Sequence, residues 1–195
     1  MKKKPVMCIV AGPNGSGKTT TTEQLLKNEW GADSLYINPD NIAKDIFGDW
    51  NSTEAVLKAA QKATEQRYEC LKNGPDFVFE TVFSSAEKMD FIQNAKDAGF
   101  FIRIFYVCTE SPLININRIA QRYLNGGHEV PISKTISRYY SSLKNISRAI
   151  KIADRVYLYD NSVENAAPRL ILRTADGIIA KQYTNDLPDW VRAII

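Results

Sequence analysis

A chain of 195 residues is long enough for one domain with a substantial core, and 44% hydrophobic against 24% charged residues is the balance of an ordinary globular protein. The net charge of +3 is spread along the chain, which argues against a nucleic-acid-binding protein. A lone histidine and three cysteines without a C-x-x-C pair exclude histidine metal clusters and a disulfide framework; a reducing cytosol fits, and no apolar run is long enough to cross a membrane.

In chain order, Met1-Lys2-Lys3-Lys4 reads as a solvated N-terminus, because the apolar run behind it is too short for a signal peptide. That run, Val6-Met7-Cys8-Ile9-Val10-Ala11, is predicted to be a strand. Directly after it, Gly12-Pro13-Asn14-Gly15-Ser16-Gly17-Lys18-Thr19 fits the pattern G-x-x-x-x-G-K-[ST]. Thr20 to Asn28 reads as a helix with Leu25 and Leu26 on its apolar face, so the loop has the strand-to-helix setting that a phosphate-binding loop requires. Its glycines let backbone N–H groups turn inward around a polyphosphate at the positive end of a helix. Residues Gly12 through Thr20 are therefore the expected ATP site. Lys18 is placed to reach the β- and γ-phosphates, and the Thr19 hydroxyl to ligate Mg²⁺.

Ser34 to Ile37 is a second short strand, and Pro39 sets Asp40 just beyond its tip, before a short helix over Ile42 to Phe47. Asn51 or Ser52 caps a long helix whose Ala55, Ala59, Ala63, Gln66 and Cys70 share a face, and Asn73-Gly74-Pro75 stops it. Phe77-Val78-Phe79 is a buried strand ending in Glu80-Thr81. Ser84 or Ser85 is the expected cap of a helix through Met89, Ile92 and Ala95. A long strand follows over Phe101 to Val107.

Ser111-Pro112 opens the next helix, which ends at Asn125-Gly126-Gly127. After His128-Glu129-Val130-Pro131, the stripe Ile132, Ile136, Tyr140, Leu143, Ile146 and Ile150 marks another helix. Arg155 to Asp160 is the fifth parallel strand. Leu170-Ile171-Leu172 and Ile178-Ile179-Ala180, joined by Asp176-Gly177, form a terminal hairpin, and a short helix follows Pro188. Strands alternating with helices predict an α/β, three-layer P-loop kinase-like fold. It has a mainly parallel five-stranded sheet flanked by helices, a helical lid over about residues 111–137 between strands four and five, and the C-terminal hairpin, all in one domain over 1–195.

In an open α/β sheet, ligands bind beyond the carboxyl ends of the strands. Asp40 beyond the second strand can take the proton from an attacking hydroxyl, or can serve as a helix cap. Glu80 and Thr81 at the third strand's tip are acceptor or Mg²⁺ contacts, with a buried ion pair as the alternative for Glu80. Arg118 and Arg122, four apart on the lid helix, suit the charge of a moving phosphoryl group, or are solvated surface residues. Lys134 and Arg138 on the following helix are weaker candidates of that kind.

Ala11 to Thr19, Asn38-x-Asp40-x-Ile42-Ala43 and Phe79-Glu80-Thr81 are followed by Arg122-Tyr123-x-x-Gly126-Gly127-His128-x-Val130-Pro131, with Arg138-Tyr139 beyond. In this order they resemble the short zeta-toxin-like P-loop kinases, over roughly residues 5 to 160. The resemblance implies ATP-dependent phosphorylation of a small molecule at a hydroxyl, with UDP-N-acetylglucosamine, a UDP-amino-sugar, as the acceptor of the better-known members. It implies Asp40 as base, Glu80 and Thr81 as substrate-binding residues, and Lys18 with Arg118 or Arg122 on the transferred phosphoryl group. ATP and Mg²⁺ are the cofactors it implies, with an antitoxin protein as a partner to consider. The residues leave open a kinase with another acceptor, or an ATP-dependent regulatory module. Asn-Lys-x-Asp for guanine and the Leu-Ser-Gly-Gly transporter signature are both missing from the sequence.

Overall fold

The computed structural model describes residues 4–26, 34–47, 52–125 and 130–195. Seven strands, β1 (Val6–Ala11), β2 (Leu35–Ile37), β3 (Phe77–Thr81), β4 (Phe101–Cys108), β5 (Arg155–Asp160), β6 (Arg169–Ala175) and β7 (Ile178–Gln182), form one sheet in the order β2-β3-β1-β4-β5-β6-β7. The first five pair in parallel and the last two antiparallel. The sheet is thus seven-stranded and mixed: the terminal hairpin does not stand apart from the parallel strands. β6 pairs with β5, so β5 is not left with the row of unpaired backbone groups that an edge strand carries. Asp176 and Gly177 at the hairpin tip have φ of +49° and +80°, the left-handed pair that a tight two-residue turn demands.

Helices α1 (Lys18–Leu26), α2 (Pro39–Phe47), α3 (Thr53–Asn73), α4 (Glu87–Asp97), α5 (Pro112–Leu124), α6 (Ile132–Ala149) and α7 (Asp189–Arg192) link and cover these strands. Connections between parallel strands are right-handed, so the direction of each step sets its side of the sheet. The steps β2 to β3, β3 to β4 and β4 to β5 run one way, and β1 to β2 runs the other. Accordingly α2, α3, α4 and α6 share one side, where Ala59, Ala63, Phe91, Ile92 and Ile146 close on Ile9, Phe79, Ile104 and Leu158; Trp190 of α7 joins them. The expected third layer is only partly built. The apolar cluster of the opposite side, Cys8, Val10, Val78, Phe105 and Tyr157, draws every member from a strand, and α1 is the one crossover helix that runs on that side among the described residues.

Local chemistry sets the element ends. Ser52 accepts from the Ala55 N–H at 3.2 Å and opens α3, while Gly74 at φ +80° closes it. Ser111 caps α5 through the Leu113 N–H, with Pro112 in its first turn. Two expectations shift. Helix α2 starts at Pro39 rather than Ile42, because Asn38 caps it, and α4 starts at Glu87 behind Ala86, with neither Ser84 nor Ser85 as its cap. On α6 the buried face is Thr135, Tyr139, Ser142, Asn145, Ile146 and Ala149, while Ile132 and Tyr140 are exposed. The expected stripe holds at its C-terminal end, where Ile146 and Ile150 are buried and Leu143 packs against the core; it misses the polar members, since the Ser142 hydroxyl bonds the Tyr106 hydroxyl at 3.0 Å and Asn145 donates to the carbonyls of Phe83 and Ser85.

Candidate active site

The loop from Gly12 to Gly17 crosses the carboxyl end of β1, flanked by β3 and β4. A methyl group at Gly12 would lie 2.0 Å from the Val107 carbonyl oxygen, so only glycine lets the chain turn there. Gly17 has φ +95°, and a Cβ on it would meet the Asn161 amide nitrogen at 2.3 Å. Side chains from distant elements hold the loop in shape. Asn115 of α5 is buried and donates to the Asn14 carbonyl at 2.6 Å, while accepting from the Thr109 hydroxyl. Asn161, just past β5, donates to the Ser16 carbonyl at 2.8 Å, and Arg138 of α6 donates to the Asn14 side-chain oxygen at 3.4 Å.

Lys18 opens α1, and its ammonium donates to the Pro13 carbonyl at 2.9 Å. Burial of that ammonium lowers its pKa to about 8. Glu80 opposes the shift, while Arg122 and Arg138 add to it. The loop therefore concentrates positive charge beneath its backbone, the arrangement that a polyphosphate neutralises. A cavity of about 240 Å³ opens here, lined by Gly15, Gly17, Lys18, Thr19, Thr20, Arg118, Ile119 and Arg122. Arg118 also lines a neighbouring cavity of about 190 Å³ and donates to the Val163 carbonyl at 3.5 Å. It leans toward the tip of β5, whereas Arg122 and Arg138 are the arginines whose charge Lys18 feels.

On the other flank, one hydrogen-bonded run ties the loop to Asp40. The Thr19 hydroxyl donates to Glu80 Oε2 at 3.4 Å, and the Tyr36 hydroxyl donates to Glu80 Oε1 at 2.8 Å. Asn38 donates to the Tyr36 oxygen at 2.7 Å and accepts the Asp40 N–H at 2.8 Å. Asn38 therefore performs the capping that Asp40 alone could have been assigned, and the Asp40 carboxylate is exposed on the first turn of α2. Burial and the Glu80 carboxylate both push the Tyr36 hydroxyl well above its ordinary pKa, so it is a committed donor. Thr81 ends β3: its hydroxyl accepts the Phe83 N–H at 3.1 Å and its carbonyl the Gly12 N–H at 3.2 Å.

The Thr19 hydroxyl and the Glu80 carboxylate are hard oxygen donors of the kind that would suit Mg²⁺. Among the described residues no group of three or more His, Cys, Asp or Glu gathers.

The structure thus brings together Gly12 to Thr20, Lys18, Glu80, Arg118 and Arg122, with Asp40 at the far end of the hydrogen-bonded run. Gly126, Gly127 and His128, on which the sequence pattern leaned, lie outside the described residues. Asn115, Asn161, Tyr36 and the contact made by Arg138 are additions. The strand-tip rule that selects Asp40 and Glu80 also selects Asn161; the other three carry no comparable signal.

A phosphate-binding loop at the carboxyl ends of the parallel strands of a mixed sheet, with arginines facing it from the helices after β4, gives a P-loop kinase-like fold. The zeta-toxin family profile matches residues 1–167, and the chain belongs to that family. A Haemophilus influenzae protein is 31% identical over 117 residues, which is 60% of this chain and 80% of that protein. The AvrRxo1-ORF1:-ORF2 complex with ATP superposes with a TM-score of 0.66 at 17% identity, covering 92% of this chain and 61% of the other. This chain therefore spans under two thirds of that protein. The PezAT toxin–antitoxin system of Streptococcus pneumoniae gives a TM-score of 0.65 at 16% identity, covering 100% of this chain and 79% of the other. A kinase-like protein of Chloroflexus aurantiacus gives 0.55 at 20% identity, covering 71% and 79%.

Proposed function

We propose that this chain is an ATP-dependent phosphotransferase that moves the γ-phosphate onto a hydroxyl of a small molecule, with UDP-N-acetylglucosamine the first acceptor to test. The observation that carries this reading is the run Thr19–Glu80–Tyr36–Asn38–Asp40, which ties the backbone of Asp40, a residue with an exposed carboxylate, to the end of the phosphate loop. A nucleotide-binding module with no acceptor would have no use for such a link. Membership of the zeta-toxin family supports the same chemistry.

In this mechanism the loop amides from Gly12 to Thr20 cradle the triphosphate, and the Asn115 and Asn161 contacts keep them aimed. Mg²⁺, when bound beside Thr19, supplies neutralisation of the β- and γ-phosphate charge. The Asp40 carboxylate accepts the proton of the acceptor hydroxyl as its oxygen attacks. Lys18, Arg122 and Arg138 face the spreading negative charge of the transferred group, while Arg118 borders the nucleoside end of the cavity. Glu80 and Tyr36 border the acceptor. An antitoxin protein is a partner to test, on the likeness to the PezAT system. A cytoplasmic setting fits the free, buried thiols of Cys8, Cys70 and Cys108.

Incubation with ATP, Mg²⁺ and UDP-N-acetylglucosamine is expected to yield a phosphorylated sugar nucleotide by mass spectrometry. ATP consumption that requires a different hydroxyl compound would replace this acceptor. ATP turnover insensitive to every hydroxyl compound would overturn the phosphotransferase reading.

A further inference from the structure

The side of the sheet opposite α2, α3, α4 and α6 has no crossover helix over β4, β5, β6 and β7 among the described residues, since α1 follows β1 toward the other edge. This half is patterned. Across β1, β4 and β5, Cys8 is in register with Arg103 and Arg103 with Arg155. One pleat further on, Phe105 faces Tyr157, Tyr157 faces Arg173, and Arg173 faces Lys181. Four cations, Arg103, Arg155, Arg173 and Lys181, thus run obliquely over four strands, a span of roughly 14 Å at the usual strand spacing.

The cations lie against rings: the guanidiniums of Arg103 and Arg155 are 5.4 and 5.9 Å from the Phe101 ring centre, and the Lys181 ammonium is 4.8 Å from that of Tyr183. Among the described residues the acids placed near them are Asp76, which with Arg103 acts on Cys8 and accepts the Val6 N–H, and Asp176, 3.6 Å from Arg155 and largely exposed. Four cations against two acids leave an excess of positive charge, and Arg173 and Lys181 have no ion-pair partner among the described residues.

Three occupants have different requirements. A nucleic-acid strand needs open ring faces for base stacking. Here Phe105 and Tyr157 stack on each other at 4.9 Å and 7°, and are only 4% and 8% exposed. A second copy would set one excess of positive charge against another. A helix with an apolar stripe and acidic flanks meets both features: the partly buried Tyr159 and Leu170 take the stripe, and the cation row takes the acids. Three turns of helix, about 16 Å, match the row's length.

We infer that this face of β4–β7 is the docking site for an acidic amphipathic helix of a partner protein, which completes the half-built layer. Docking there leaves the phosphate loop open, so the inference stands apart from the proposed chemistry.

The test uses a fluorescein-labelled stapled helical peptide of about 15 residues, with leucines along one stripe and glutamates on its flanks. Its controls are the same peptide with lysines for glutamates and a short oligo-uridylate. Anisotropy titrations at low salt are expected to show the acidic peptide binding at least about tenfold tighter than the basic one, and weakening on addition of salt. Lys181→Glu, at an exposed position, and Arg173→Glu should each reduce binding about tenfold. Any of four results overturns the inference: no binding of the acidic peptide, equal binding of the basic one, affinity untouched by Lys181→Glu, or tighter binding of oligo-uridylate. So does a dimer of the protein alone, in sedimentation, that Lys181→Glu dissociates.

Discussion

Replacing Tyr36 by phenylalanine removes one oxygen and two hydrogen bonds while keeping the ring. That oxygen donates to Glu80 at 2.8 Å and accepts from Asn38 at 2.7 Å. A hydrogen bond to a charged partner contributes about 1.5 to 3 kcal/mol. If that interaction serves transfer, its loss lowers the transfer rate by roughly 10- to 150-fold. Glu80 then loses the donor on its Oε1, and its remaining contact, with Thr19 at 3.4 Å, is weak. The expected signature is a fall in kcat with ATP affinity nearly unchanged, together with a higher Mg²⁺ requirement, because Glu80 no longer holds its place beside Thr19. The assay is ATP consumption with the acceptor at saturation, repeated over a Mg²⁺ series, with thermal melting to verify folding. A folded Tyr36→Phe protein with wild-type kcat and Mg²⁺ dependence would refute the role of this run.

Asp40→Asn is expected to abolish transfer while ATP binding, read by isothermal calorimetry, persists; equal transfer would remove Asp40 as the base. Gly17→Ala should abolish ATP binding in the same assay, since its Cβ would strike Asn161 at 2.3 Å in a left-handed backbone. Arg138→Ala should lower kcat by at least about tenfold, with Arg118→Ala acting chiefly on ATP KM, and the reverse split would exchange their roles. Lys18 in the nucleotide-free protein binds its proton less tightly than in the unfolded chain, with a pKa lowered from 10.5 to about 8. Below that value its charge costs the fold about 3 kcal/mol, a cost relieved as pH rises from 8 toward 10.5. Urea unfolding should therefore show Lys18→Met more stable than wild type at pH 7, a gap that closes by pH 10; wild type equal or superior at pH 7 would contradict the buried-charge account.

The donor half of the site was legible because its signal is local. Eight consecutive residues specify the loop, and strand ends read from Pro39 and from Phe77-Val78-Phe79 place Asp40 and Glu80 at the right edge of the sheet. What holds those groups was not legible, because it is long-range. Asn115, Arg138 and Asn161 reach the loop across 101, 124 and 145 residues of chain. An asparagine or arginine on a helix carries no mark of a partner so distant. On α6 the stripe was legible where Ile146 and Ile150 are buried and missed Ser142 and Asn145, because periodicity counts apolar residues while these two are buried by hydrogen bonds. Both strands of the terminal hairpin were legible, but their addition to the sheet follows from the pairing of β6 with β5, which a hairpin signal does not specify.

The two flanks of the site differ in sign, and Glu80 joins them. Lys18, Arg122 and Arg138 make the loop side cationic, while Glu80 and Asp40 make the opposite side anionic. In the protein without nucleotide, Glu80 is the carboxylate that offsets the desolvation of Lys18. In the proposed reaction a triphosphate seated in the loop would supply that offset far more strongly, leaving the Glu80 charge to the hydroxyls of Thr19 and Tyr36. The same carboxylate thus acts on Lys18 before the donor arrives and on the acceptor side afterwards. This argues for an order of events: nucleotide first, then acceptor, because only a filled loop leaves the Tyr36–Asn38–Asp40 run with an undivided partner.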